Sequence, residues 1–487
     1  MSMNIDDINL WQCENQFDPE QLITCIYHIN EFFKEFDIEL NHKIAIISRN
    51  NIYMALLYYT ITEMGYVFVP INYNYPNDLI KELILENDID IIIYEEKFEN
   101  KITKSIRNLL SFKLENIKDL VDNINFVKNY NILTRRNQAK FSTIIFTSGS
   151  SFQKPKGVVH HLDHHLNSAL NSSKNIKFEY GDRWLLTLPL YHIGGLAILN
   201  RMTLNHAGAV FPDENLSLIN NIEKYKITHI SLVASQFSEL LSKKENVKIL
   251  SKLKVILLGG SAIPDPLIEL AYKNKLKILT SYGSTEMGSQ ICTSEPSATL
   301  EQLKKSGKIL DQTEIMIDEN SEILVRGNSL FYCYYDKEKI NKFDKPVIGM
   351  KKDWFKTNDR GVIDSDGYLR VLGRIDNMII SGGENIQPEE IEKVINSYIG
   401  IESNLVIPIE DDKWGQRPVA FIKTKINFNE TKFLDYLKNN LPKYSVPDIY
   451  INWSTEKNKL GFKVNRAFFK DLLKSNDYEV LFTKNQT

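Results

Sequence analysis

Cysteine is scarce. The chain has four in 487 residues, Cys13, Cys25, Cys292 and Cys333, and no two stand at C-x-x-C spacing. That excludes a disulfide framework and a cysteine zinc site. It points to free thiols in a reducing compartment, so the cytoplasm is the expected location. No apolar run approaches the roughly 20 residues of a membrane span, and the opening MSMNIDDINLWQCENQ is too acidic and polar for a secretory signal. An excess of one charge is also missing. Lys+Arg number 59 and Asp+Glu 62, leaving a formal net charge of -3. This offers no basic field for nucleic acid and no polybasic patch for a membrane. The sequence shows no repeat at fixed spacing, no low-complexity tract and no G-x-x-x-x-G-K-[ST] nucleotide loop.

What is present is the composition of a globular protein, 43% hydrophobic and 25% charged, in a chain too long for one core. Strand-like and helix-like segments alternate early: KIAIISRN, then an amphipathic helix NIYMALLYYTITEMG closed by Gly65, then YVFVPIN, PNDLIKELILEND and IDIIIYEE. The pattern resumes through RWLLTLPL, HAGAVFP, ITHISLV, KVILLGG and KILTSYG. Such alternation predicts an α/β fold with parallel and mixed sheets flanked by helices. From about Ser306 the texture turns to hairpins with ENSE and DSDG turns, a β-rich subdomain. Past Arg374 a compact α+β segment begins. The expected domains are therefore 1–375 and a small mobile 376–487, with the boundary near Asp376.

Four stretches carry chemistry. TIIFTSGSSFQKPKGVVHH, residues 143–161, is a loop of hydroxyls and glycine ending in Lys156, suited to phosphate and equally to a mobile surface loop. In LTSYGSTEMGSQ, residues 279–290, a strand is expected to end in a Tyr-Gly turn. Thr285 could meet a phosphate there, Glu286 a magnesium ion and Tyr282 a base, while a plain N-cap is the bland alternative. In KTNDRGVIDSDGYLRVLGRID, Asp359 could accept both hydroxyls of a ribose, with Arg374 a strand away. In NKLGFKVNRAFFK, Lys463 follows a glycine turn and precedes a helix; alone it is a solvated lysine.

Taken in order, TSGSSFQKPKG, YGSTE, TNDRG, GRID and KVNR resemble the motifs of the adenylate-forming superfamily of acyl-CoA synthetases, luciferases and nonribosomal adenylation domains, over nearly the whole chain. The resemblance implies an acid–thiol ligase using ATP, magnesium and coenzyme A through an acyl-adenylate. It places Thr147, Ser148, Gly149, Ser150, Ser151 and Lys156 on the β- and γ-phosphates. Thr285 goes to the α-phosphate, Glu286 to the metal, and Asp359 with Arg374 to the ribose. Adenine would lie between Tyr282-Gly283 and Gly259, Gly260 and Ser261. Lys463 would act in adenylation only, before rotation about Asp376 brings Gly382, Gly383 and Glu384 to the thiol. Phe152 and Phe462 depart from the family pattern.

The acid pocket implied by the resemblance includes His192, Gly194, Gly195, Gly259 and Ser284. His192 stands where amino-acid-activating members carry an aspartate, which disfavours an amino acid and leaves room for a flat ring. Its bland alternative is a packed core histidine. At finer grain PLYHIGGLAIL, ITHISLV, LLGGSAIP and ISGGENIQPEEIE are similar to o-succinylbenzoate–CoA ligases, which serve menaquinone biosynthesis. A second carboxylate would then need a contact such as His192 or Arg201. Other aryl- or medium-chain acyl-CoA synthetases, and a non-catalytic nucleotide-binding module, are the alternatives. Expected partners are a small carboxylic acid, ATP and coenzyme A in a monomer or homo-oligomer, with no nucleic acid and no membrane insertion. HHLDHH, residues 160–165, has metal-ligand spacing but no third ligand, and is read as the exposed start of a helix.

Overall fold

The computed structural model describes residues 9–12, 15–102, 106, 109–124, 126, 134–147, 155–338, 350–351, 354–426, 428–453, 466–475 and 478–484. Four sheets organise them. A seven-stranded sheet runs Cys333–Tyr334, Gly157–His160, Thr143–Phe146, Val67–Pro70, Lys43–Ile47, Ile91–Tyr94 and Leu110–Lys113. Its last four strands pair in parallel, whereas Thr143–Phe146 and Gly157–His160 form an antiparallel hairpin around the candidate phosphate loop. A nine-stranded sheet has Ile278–Ser284, Val255–Leu258, His229–Leu232 and Arg183–Leu185 as parallel neighbours. A five-stranded antiparallel sheet holds the hairpins Thr313–Ile317/Glu322–Gly327 and Trp354–Ile363/Leu369–Arg374. The six-stranded fourth sheet is drawn wholly from Ile379 onward.

The two large sheets share one core. Ile44 and Phe68 of the first and Trp184, Ala209 and Phe211 of the second belong to a single buried cluster. Helix Ile52–Glu63 lies in it with every residue buried, so the expected amphipathic helix is apolar on all sides. The reason is its place between two sheets: neither face meets water, and no polar stripe is called for. Gly65 does close it, at φ +79. Among the described residues no helix is long and apolar enough to cross a membrane. Cys25, Cys292 and Cys333 are buried free thiols, and Cys13 lies outside the described residues.

Two local expectations are corrected. Tyr282-Gly283 is not a turn. The strand runs on through Ser284, with a bulge between Tyr282 and Gly283, and pairs antiparallel with Ser289–Thr293. A Cβ on Gly283 would stand 1.9 Å from the Ser289 carbonyl oxygen, so only glycine lets the hairpin close. The turn itself is Thr285 to Gly288, and no helix follows it. The histidine run is not an exposed helix start either. His160 ends a strand at 0% exposure and His165, on helix Leu162–Asn175, is 2% exposed.

Candidate active site

Contacts between the large sheets and the five-stranded sheet bring several of the predicted residues together. The Tyr282 hydroxyl donates to Asp359 Oδ2 at 2.6 Å, joining two positions 77 residues apart. Asp359 lies directly opposite Arg374 in its hairpin, and Arg374 Nη1 reaches its Oδ1 at 3.3 Å. The TND turn is shaped locally. Asn358 takes a left-handed φ of +63, the Asp359 amide donates to Thr357 Oγ1 at 3.1 Å, and that hydroxyl donates to the Ile323 carbonyl at 2.7 Å. The carboxylate is thereby aimed at the tyrosine. Burial, and then the Asp359 charge, pushes the Tyr282 hydroxyl well above its usual range, so it remains a donor.

Thr285 and Glu286 sit in the tight turn after Ser284. The His160 imidazole Nε2 lies 2.8 Å from the Thr285 carbonyl oxygen, which makes it the protonated ring nitrogen. The Phe331 amide donates to the Glu286 carbonyl at 2.7 Å, and the Tyr334 hydroxyl to Glu286 Oε1 at 2.7 Å. Lys156 projects toward the same place, its ammonium 5.3 Å from the centroid of the Tyr334 ring. Thr147 closes the base of the loop, its amide donating to the Lys156 carbonyl at 3.0 Å. Ser148, Gly149, Ser150 and Ser151, with Phe152, lie outside the described residues.

Gly259, Gly260 and Ser261 follow the strand Val255–Leu258, beside the strand that carries Tyr282; Gly260 and Ser261 are exposed. His192 precedes helix Ile193–Leu204 and packs against Tyr191 with ring centroids 4.7 Å apart. Gly195 allows that helix to start under Pro189, whose carbonyl oxygen would be 2.2 Å from a Cβ. Two turns on, Arg201 is 2% exposed. It donates to Ser172 Oγ at 2.8 Å and Gln290 Oε1 at 2.7 Å, with Ser289 Oγ at 3.4 Å and the Trp184 ring 5.3 Å away. None of these is a carboxylate, and burial lowers the guanidinium to about 10. Nearby, Ser168 Oγ, Ser284 Oγ and both amide atoms of Asn171 are buried with no partner among the described residues. A buried cation among neutral, under-satisfied polar groups has capacity left for an anion or ordered water.

Asp376 follows Arg374 and accepts its Nη2 at 3.1 Å. Gly382 and Gly383, at φ +60 and +88, form the two-residue turn of the hairpin Ile379–Ser381/Glu384–Ile386. Helix Pro388–Asn396 then leans back on the strand Leu369–Arg374. Gln387 donates to the Arg374 carbonyl at 2.9 Å, and Lys393 meets Asp265 at 2.9 Å. Lys463 and Phe462 lie outside the described residues, but Arg466, of the same motif, is fixed to Glu392 by bonds of 2.7 and 2.8 Å.

Sequence reasoning missed Tyr334 and His160. Each acts on the Thr285–Glu286 turn from a distant strand, so no local spacing announces them. The β-branched pair Val158-Val159 before it was the local sign that His160 closes a strand.

For a metal the described residues offer no cluster of three or more acidic, histidine or cysteine ligands. Glu286 fits the other arrangement, in which one carboxylate and the phosphates of a bound nucleotide share a magnesium ion.

Comparison with known proteins agrees with this geometry. The AMP-binding enzyme family pattern matches residues 28–335. A 2-succinylbenzoate–CoA ligase of Listeria monocytogenes is 30% identical over 413 residues, covering 84% of each chain. The o-succinylbenzoate CoA synthetase (MenE) of Bacillus subtilis in complex with the acyl-adenylate intermediate OSB-AMP superposes with a TM-score of 0.83 at 27% identity, covering 96% of each chain. The same enzyme in complex with ATP and magnesium gives 0.83 at 26% identity, covering 96% of this chain and 97% of that one. A family match over more than half the length, on the strands and turns that assemble Tyr282, Glu286 and Lys156, settles the membership: the chain belongs to the AMP-binding enzymes.

Proposed function

We propose that the protein is an AMP-forming acid–CoA ligase that acts on o-succinylbenzoate. The succinyl carboxylate attacks the α-phosphorus of ATP, the bond to the bridging oxygen breaks, and diphosphate leaves. The coenzyme A thiol then gives up its proton and attacks the acyl carbon, and AMP departs. Both steps bring anions together, so cations and oriented donors supply most of the catalysis.

In this reading Asp359 and Arg374 hold the ribose and Tyr282 faces adenine across from Gly259, Gly260 and Ser261. Lys156 and the hydroxyl loop take the outer phosphates, and Thr285 the α-phosphate. Glu286 would hold magnesium, which when bound offsets the charge of the departing diphosphate. Lys463 serves the first step, and residues 376–487 turn about Asp376 to present Gly382, Gly383 and Glu384 for the second. The buried thiols and the need for ATP and coenzyme A suit the cytoplasm.

One observation carries the choice of acid: Arg201, a buried cation answered among the described residues only by neutral groups. Leaving a buried charge unanswered is costly. A substrate bearing a second carboxylate beyond the one activated supplies the missing anion; benzoate or a fatty acid does not. The test is AMP release with ATP, magnesium and coenzyme A against o-succinylbenzoate, benzoate, a medium-chain fatty acid and several amino acids. Turnover confined to o-succinylbenzoate is expected. Equal turnover with benzoate would remove the role given to Arg201.

A further inference from the structure

Tyr334 touches both charged groups assigned to the outer phosphates and the metal. Its hydroxyl holds Glu286 Oε1 at 2.7 Å, and its ring lies 5.3 Å from the Lys156 ammonium. The short strand Cys333–Tyr334 pairs with Gly157–His160, Tyr334 standing opposite Val158, so the ring is tied to the strand that leaves the phosphate loop. Three residues earlier Phe331 holds the Glu286 main chain. Glu286 is therefore gripped at both ends by one segment, residues 331–334, that belongs to neither of its own strands. Among the described residues Oε1 takes this one hydrogen bond and Oε2 takes none.

We propose that Tyr334 is a positioning residue for the metal–nucleotide. Its hydroxyl occupies one oxygen of Glu286 and so orients the carboxylate, and its ring seats Lys156 until phosphate oxygens draw the ammonium away. This rests on the function proposed above. Carboxylates that ligate metals are commonly held by such outer hydrogen bonds, and losing one typically weakens metal affinity about 10- to 100-fold. A cation over a ring is a weaker partner than a charge-assisted hydrogen bond to phosphate, so the seat releases the lysine when nucleotide arrives.

Manganese serves as the probe, with free Mn2+ followed by electron paramagnetic resonance in the presence of ATP. ATP binding in EDTA is followed separately by calorimetry. Tyr334→Phe keeps the ring and loses the hydroxyl. It is expected to weaken Mn–ATP binding about tenfold, leave metal-free ATP binding unchanged, and raise the KM for Mg–ATP while kcat at saturation is kept. Tyr334→Leu loses the ring too and is expected to weaken metal-free ATP binding as well. The inference is overturned if Tyr334→Phe binds Mn–ATP like the parent, or loses metal-free and metal-bound affinity alike. Glu286→Gln separates the two levels. If it binds Mn–ATP like the parent, the role of Glu286 itself fails. If it binds weakly while Tyr334→Phe does not, only Tyr334 is misassigned. Should Tyr334→Leu not fold, Tyr334→Phe decides alone.

Discussion

Asp359 faces Arg374 across an antiparallel hairpin, Oδ1 to Nη1 at 3.3 Å, while the Tyr282 hydroxyl holds its other oxygen at 2.6 Å. Both carboxylate oxygens are thus engaged, and a ribose that binds here must share them. Asp359→Ala should raise the KM for ATP by about 10- to 100-fold, the worth of a hydrogen bond to a charged group, with the KM for the acid nearly unchanged. Steady-state AMP release against each substrate measures this. An equal rise in both constants would place Asp359 outside the nucleotide site.

Arg201 makes a separable prediction. Arg201→Met should raise the KM for a dicarboxylic acid such as o-succinylbenzoate by about tenfold or more and leave the KM for ATP alone. Its thermal midpoint should change little, because relief of the buried charge is offset by leaving the Ser172 and Gln290 oxygens without their donor. A large loss of stability with unchanged acid KM would make the arginine purely architectural.

The histidines beside the phosphate loop make the fold acid-sensitive. Burial, with neighbouring histidines adding to it, lowers His164 to about 4 and His165 to about 3, and pushes His160 well below its usual range. Below about pH 6.5, the ordinary histidine value, the unfolded chain takes up protons that the folded one refuses. The stabilisation is complete above that pH and is lost as pH falls toward 4. The thermal midpoint should drop over this window, and His164→Gln should flatten the slope. A midpoint that does not move between pH 7 and 5 would contradict it.

Lys463→Ala should lower adenylation by about 10²- to 10³-fold, the scale of one preorganised donor. Thioester formation from supplied acyl-adenylate should be far less affected. Single-turnover assays of each half-reaction decide this, and an equal fall in both would end the domain-rotation account.

Much of this was legible from residues alone. The parallel strands read as short apolar runs, and the Asp359–Arg374 pairing was visible as one hairpin with its turn at DSDG. Less legible was anything set by tertiary position. Helix 52–63 reads as amphipathic from residues alone; in place, the Tyr58 hydroxyl is satisfied by Asn200 at 2.9 Å and Thr60 by its own helix at 2.9 Å. Tyr282-Gly283 looked like a turn because glycine commonly marks one, whereas here it removes a clash between paired strands. Tyr334 gave no signal and His160 stood out only within HHLDHH, because the group each holds lies 48 and 125 residues away.

Helix 52–63, apolar on every side, also bears on how the protein is made. Asn200 and Thr203, which meet its Tyr58 and Tyr59, are translated about 140 residues later, which at 5–20 residues per second is on the order of seven to thirty seconds. During that interval the nascent chain carries a greasy rod that the earlier helix Pro19–Glu35 covers on one side only, a client for a chaperone that waits on emerging polypeptides.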